Sequence, residues 1–119
     1  MKVTFVNYES EVVFSSYADN GNTAIQLIGS KGTDYEGELI ATASVNTDVS
    51  LASNAVAIKG WSENEGMEAA LIKSNVIDSK ATGLITCGFV EAKIYQLTSE
   101  AIQEQIKQEP ASSANDTSH

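Results

Sequence analysis

Three acids crowd the only tryptophan of this chain: Glu63, Glu65 and Glu68 follow Trp61 in the run Ala57-Ile58-Lys59-Gly60-Trp61-Ser62-Glu63-Asn64-Glu65-Gly66-Met67. Carboxylates in that setting have two uses. They complement the positive end of a helix dipole, which requires nothing but the helix. They also form an anionic patch beside an apolar anchor, because an indole covers a large area and Trp is enriched at interface hot spots. Helical spacing would place Glu65 and Glu68 on one face, so Trp61, Glu63, Glu65 and Glu68 are the candidate binding residues. Tyr17 joins them, because strand alternation puts it, like Tyr95, on a more polar face where an aromatic contact surface could widen.

Other chemistries find little to work with. The sole histidine is His119, near a polar end that offers no fixed geometry for a triad or a zinc site. The chain has no C-x-x-C pair, H-E-x-x-H helix, Walker loop or G-x-G-x-x-G turn. Cys87 lies in an apolar stretch without basic neighbours, which predicts a buried structural thiol and not a nucleophile. A metal site would need Asp19, Asp34 or Asp78 to converge on the glutamates through folding alone. These residues call for no cofactor, no metal and no enzymatic activity.

Composition narrows the partners. Sixteen acids against seven bases give a net charge of −9 over 119 residues. That balance repels nucleic-acid phosphates and anionic lipid, so neither direct nucleic-acid binding nor membrane binding is expected. The apolar fraction of 42% suits one globular domain. One cysteine fits a reducing compartment, and no apolar run approaches the ~20 residues of a membrane span, so a cytoplasmic protein is expected.

The elements that would position the acids follow from patterning. Asn20-Gly21 reads as a two-residue type I′ turn, which pairs Phe14 with Leu27 and gives one apolar face of Val12, Phe14, Ile25 and Leu27. Lys31-Gly32-Thr33-Asp34-Tyr35-Glu36-Gly37 is a loop, and 39–45 alternates with Leu39, Ala41, Ala43 and Val45 on one face. Residues 55–58 form a short strand. Ser62 and Glu65 match a capping box, which starts the main helix at Ser62 and carries it through Met67, Ala70 and Leu71 to a left-handed stop at Asn75. Gly66 in its first turn suggests a close neighbour, with Trp61 as one candidate. Residues 84–97 read as a long strand region with a bulge at Gly88, and 99–108 as a second helix with a thin apolar stripe. The expected fold is α+β: an antiparallel sheet with one main helix on a face and a short C-terminal helix. Residues 1–98 form the globular domain, 99–108 a marginal helix, and 109–119 a disordered tail.

Three segments carry a resemblance: Tyr17 to Ile28, Ala41-Thr42-Ala43-Ser44-Val45-Asn46, and Asn54 to Leu71, followed by a late Gly88-Phe89-Val90. Together they resemble a family of uncharacterised small proteins, a domain of unknown function, from Gram-positive bacteria and their phages, plasmids and conjugative elements. Its pattern reads N-G-x-x-A-I-Q-L, A-T-x-S-V-N, I-K-x-[aromatic]-S-E-N-E-G-M and G-F-V. The resemblance spans about 12–97 and implies a mobile-element setting without an activity.

Two expectations from different classes follow. The first is a non-enzymatic acidic protein of a mobile element that acts on a host protein, with occupation of a basic groove in place of phosphates as one route to counter-defence or regulation. The second is a binder of a small polar ligand or nucleotide, held by backbone N–H groups of 62–65 with Trp61 stacking. A carboxylate or metal hydrolase ranks last, because nothing fixes two carboxylates together.

Overall fold

Phe5 and Tyr8 face each other across Val6 and Asn7, whose φ angles of 48° and 68° form a type I′ turn. This turn joins β1 (Lys2–Phe5) to β2 (Tyr8–Ser16) in a computed structural model that describes residues 1–108. The expected disordered tail, 109–119, lies outside the described residues.

β2 runs antiparallel to β3 (Thr23–Gly29), which runs antiparallel to β4 (Leu39–Thr42), giving a sheet ordered β1-β2-β3-β4. The apolar face is the predicted one, and Val12, Phe14, Ile25 and Leu27 are all buried. The pairing differs by two residues from the expectation, because Phe14 faces Ile25. Asn20-Gly21 does not form a two-residue turn. Tyr17 N–H donates to the Asn22 carbonyl at 2.9 Å, so residues 18–21 make the loop and Gly21 takes φ +77° near its end. The reason is Asn22, which is turned inward and buried. Its side chain donates to the Val49 carbonyl at 2.9 Å and accepts the Leu51 N–H at 2.8 Å. A shift of two residues keeps every side chain on its face, which is why the predicted core survives.

A second sheet, ordered β5-β7-β6, is built from β5 (Ala55–Ile58), β6 (Gly83–Cys87) and β7 (Val90–Gln96). The segment after β4 joins the two sheets. Ala43 N–H donates to Ile25 in the first sheet, while the Ala43 carbonyl accepts Lys59 N–H and Val45 N–H donates to Ala57. The expected bulge at Gly88 is instead a hairpin turn: Cys87 pairs with Val90, and Gly88 has φ +65°. Glycine at the first loop position of a two-residue turn fits type II′. Phe89 is fully exposed at the tip.

The main helix, α1 (Met67–Lys73), begins five residues later than its capping box predicts. Ser62–Asn64 forms a single 3-10 turn, and neither this turn nor α1 has a side-chain cap. Asn64 decides the local path: it is 1% exposed, and its Nδ2 donates at 2.7 Å to the Thr42 carbonyl. Once Asn64 is fixed against β4, the chain must turn again before a helix can start. Gly66 supplies that turn with φ +90°, and no atom lies within 4 Å of where its Cβ would be. Conformation, not crowding by Trp61, explains this glycine.

The C-terminal stop is as expected. Asn75 has φ +62°, and its N–H and that of Val76 bond the carbonyls of Ile72 and Leu71, a Schellman motif. Met67 and Leu71 enter a core shared by both sheets with Val3, Phe5, Ile58 and Tyr95. The second helix, α2 (Ser99–Gln108), packs on β2. Gln108 accepts the Phe14 N–H and donates to the Val12 carbonyl, both at 2.8 Å, so its amide continues the ladder along β2 beyond the point where β1 begins. The fold is α+β, with antiparallel strands, a main helix and a short C-terminal helix; its strands divide between two sheets. Among the described residues, no helix is long and apolar enough to cross a membrane.

Candidate functional site

The segment 59–64 leaves β5, turns across the junction of the sheets, and separates two openings. Register fixes one of them. Ile58 pairs with Lys93, Lys93 with Leu84, and Glu91 with Thr86, so these side chains share a face of the second sheet with Val56 and Tyr95. At one end Val56, Ile58 and Tyr95 are buried in the core. At the other, Leu84, Thr86, Glu91 and Lys93 are exposed. Trp61 stands at the border, half-buried, over a small pocket of ≈ 200 Å³ lined by Ile58, Gly60, Glu68, Glu91 and Lys93.

Glu68 is half-buried there and accepts the Tyr95 hydroxyl at 3.0 Å. Burial and then this bond push the Tyr95 phenol up to about 12. Gly60 makes room for the carboxylate, since a Cβ at that position would lie 2.9 Å from Glu68 Oε1. The polar face expected for Tyr95 is therefore open only at its Glu91–Lys93 end.

The second opening is a cleft of ≈ 450 Å³ beside β4, lined by Tyr17, residues 39–42 and 44–46, Lys59, Glu63 and Asn64. The Tyr17 hydroxyl shares a hydrogen bond of 2.9 Å with Ser44 Oγ, which also accepts the Ile25 N–H at 2.9 Å. Lys59 Nζ donates to Glu63 at 2.6 Å, and this bond holds the Glu63 carboxyl below its ordinary range. Asn64 Nδ2 is spent on Thr42, while its Oδ1 takes no hydrogen bond among the described residues.

The five nominated residues therefore do not form one patch. Tyr17 and Glu63 belong to the β4 cleft, Trp61 and Glu68 to the sheet-face pocket. Glu65 lines neither and stands exposed on extended backbone (φ −54°, ψ 130°), so it does not share a helical face with Glu68. The Asn64 and Glu65 N–H groups, expected to be free for a ligand, donate to the Trp61 and Ser62 carbonyls. Cys87 is half-buried and not sealed in the core; burial, then the nearby Asp48 charge, raises its thiol pKa. Among the described residues, no group of three or more His, Cys, Asp or Glu could hold a metal ion.

Asn64, Ser44 and Lys59 were not nominated from the sequence, yet they build the walls of the cleft. Asn64 lies in the run Ser62-Glu63-Asn64-Glu65-Gly66-Met67 beside the nominated acids, and a short polar residue amid a helix-start signature is the signal that could have found it. Comparison of the chain with protein-family models, with curated proteins and with solved structures finds no match.

Proposed function

We propose that this chain is a non-enzymatic, acidic binding protein of a phage or other mobile element, acting on a host protein in the cytoplasm. The observation that supports this reading is the half-buried Trp61 at the margin of an open sheet face, with Glu65 exposed beside it and Glu68 at the pocket wall. An indole so placed has apolar area to bury on a partner. The net charge of −9 steers the chain toward a basic surface, such as a groove that otherwise takes phosphates. Glu63 contributes less than its two neighbours, because Lys59 neutralises it.

The test is crosslinking with mass spectrometry in the native host, comparing the wild type with Trp61→Ala and with Glu65→Gln/Glu68→Gln. Loss of the same crosslinked protein from both variants is expected. Identical crosslinks for all three chains would overturn the reading.

A second reading rests on the β4 cleft, where Asn64 Oδ1, the Tyr17–Ser44 hydroxyl pair and the aliphatic side chains of 39–41 and Val45 could hold a small neutral polar ligand. Native mass spectrometry of freshly purified protein separates the two, since only this reading expects a small adduct that Asn64→Ala removes.

A further inference from the structure

The molecule treats its sheet edges unequally. Unpaired strand edges invite other strands, and folded proteins blunt them with charge, bulges or cover. β1 carries the exposed Lys2 and packs against α1. β4 is bulged opposite Leu27 and Ile28, its Thr42 carbonyl is taken by Asn64, and the chain then crosses to the second sheet. The outer side of β5 is occupied by that crossing segment. β6 has none of these devices. Its sequence Gly83-Leu84-Ile85-Thr86-Cys87 holds no charge and no proline, and its register with β7 is unbroken. Among the described residues, nothing is hydrogen-bonded to its outer side.

Register identifies the free groups. The hairpin closes with Cys87 opposite Val90 across Gly88 and Phe89, so the backbone groups of Cys87 and Ile85 face β7. By alternation, the N–H and C=O of Leu84 and Thr86 point outward.

We propose that β6 pairs antiparallel with the β6 of a second copy of this chain, about a twofold axis at Ile85. That register sets Leu84 of each copy against Thr86 of the other, so every outward N–H meets an outward C=O and none is left over. The Ile85 side chains, half-buried on the opposite face, meet at the axis as a non-hydrogen-bonded pair with Cα atoms about 4.5 Å apart. Phe89, fully exposed at the hairpin tip, comes to lie opposite Ala81 of the second copy.

Charge favours the same register. Each row across the joined sheet reads Glu91, Thr86, then Leu84 and Lys93 of the second copy, so every acid shares its row with a base and no like charges are opposed. A foreign strand has no such built-in match. The total charge of −9 per copy still opposes association, so added salt should strengthen the pairing by screening.

The test is sedimentation velocity on the full chain up to about 1 mM, a range suited to a small edge contact. Mass should rise toward twice that of one chain with concentration, and rise further in high salt. Thr86→Pro removes an outward donor without touching the β7 ladder and should abolish the dimer while leaving far-ultraviolet circular dichroism unchanged. As a second measurement, Ile85→Cys/Cys87→Ser should crosslink through a disulfide on oxidation, whereas Gly83→Cys/Cys87→Ser should not. A chain that stays monomeric across the range, a dimer indifferent to Thr86→Pro with intact fold, or equal crosslinking of both cysteine variants would overturn the proposal. So would β6 pairing only with a different protein.

Discussion

Asn64→Ala tests the idea that one buried amide sets the path of the whole junction. Asn64 is 1% exposed and its Nδ2 lies 2.7 Å from the Thr42 carbonyl. Truncation leaves that carbonyl without a donor, and an orphaned buried acceptor costs about 1–3 kcal/mol. The cleft of ≈ 450 Å³ beside it moderates the loss, since water can reach the vacated position. An expected cost in the lower part of that range, about 1.5 kcal/mol, corresponds to a fall in Tm of roughly 6 °C for a domain of this size. Asn64→Asp should cost more, because it aims a carboxylate at the same carbonyl in place of a donor.

A local readout accompanies the global one. Trp61 is the only tryptophan, and its carbonyl accepts the Asn64 N–H at 3.0 Å. Releasing Asn64 should loosen the 3-10 turn and shift the indole emission to the red in the folded state. Thermal melts followed by circular dichroism, with emission spectra of the folded state, provide both readouts. A Tm within about 1 °C of wild type with unchanged emission would refute the reasoning, since a lost buried bond cannot be that cheap. So would Asn64→Asp proving as stable as Asn64→Ala.

Other substitutions probe the backbone and the Tyr95 pair. Val6→Asn should stabilise by about 1 kcal/mol in urea, because Val6 holds φ +48° while 62% exposed, and Asn suits a type I′ turn at the loss of little packing. Gly66→Ala should destabilise by about 1–2 kcal/mol despite the open space around it, with Gly66→Asn milder, since φ +90° is the obstacle. Tyr95 titrates higher in the folded chain (about 12) than its ordinary 10.0, so the unfolded state loses this proton first. The stability it contributes is complete below pH 10, declines as pH rises, and is gone above pH 12; Tyr95→Phe should flatten that alkaline limb in denaturation measured across the window.

The parts of the fold that were legible are those governed by local alternation. Val12, Phe14, Ile25 and Leu27 share a face under any even shift of register, so the core could be named although the turn was misplaced. Asn75 stopped α1 as its residue type suggests. The parts that were not legible turn on tertiary contacts that outweigh local preference. Ser62 and Glu65 have the right spacing for a capping box, but Asn64 binds β4 and the helix starts beyond Gly66. Val6 carries no turn signal, yet the short β1–β2 connection obliges it to adopt positive φ. The division into two sheets was hidden because the crossing segment after β4 has the same alternating pattern as a strand that stays in one sheet. At the site, spacing placed the acids close together in sequence, while the intervening turn sent Glu63 and Glu68 to opposite sides.

That separation bears on which residues serve the fold and which are free for a partner. Asn22, Ser44 and Asn64 each have an internal task. Asn22 pins the loop before β5, Ser44 takes the Ile25 N–H at the sheet junction, and Asn64 fixes the turn to β4. Their presence follows from architecture and would be required whatever the protein binds. Trp61 is different. Its side chain makes no hydrogen bond among the described residues, it is only half-buried, and the turn around it is held by its neighbour Asn64. A small polar residue at this position would leave those anchors in place. Trp61 therefore contributes less to the fold than its size allows, and this makes Trp61, more than the acids around it, the residue on which the proposed partner contact should depend.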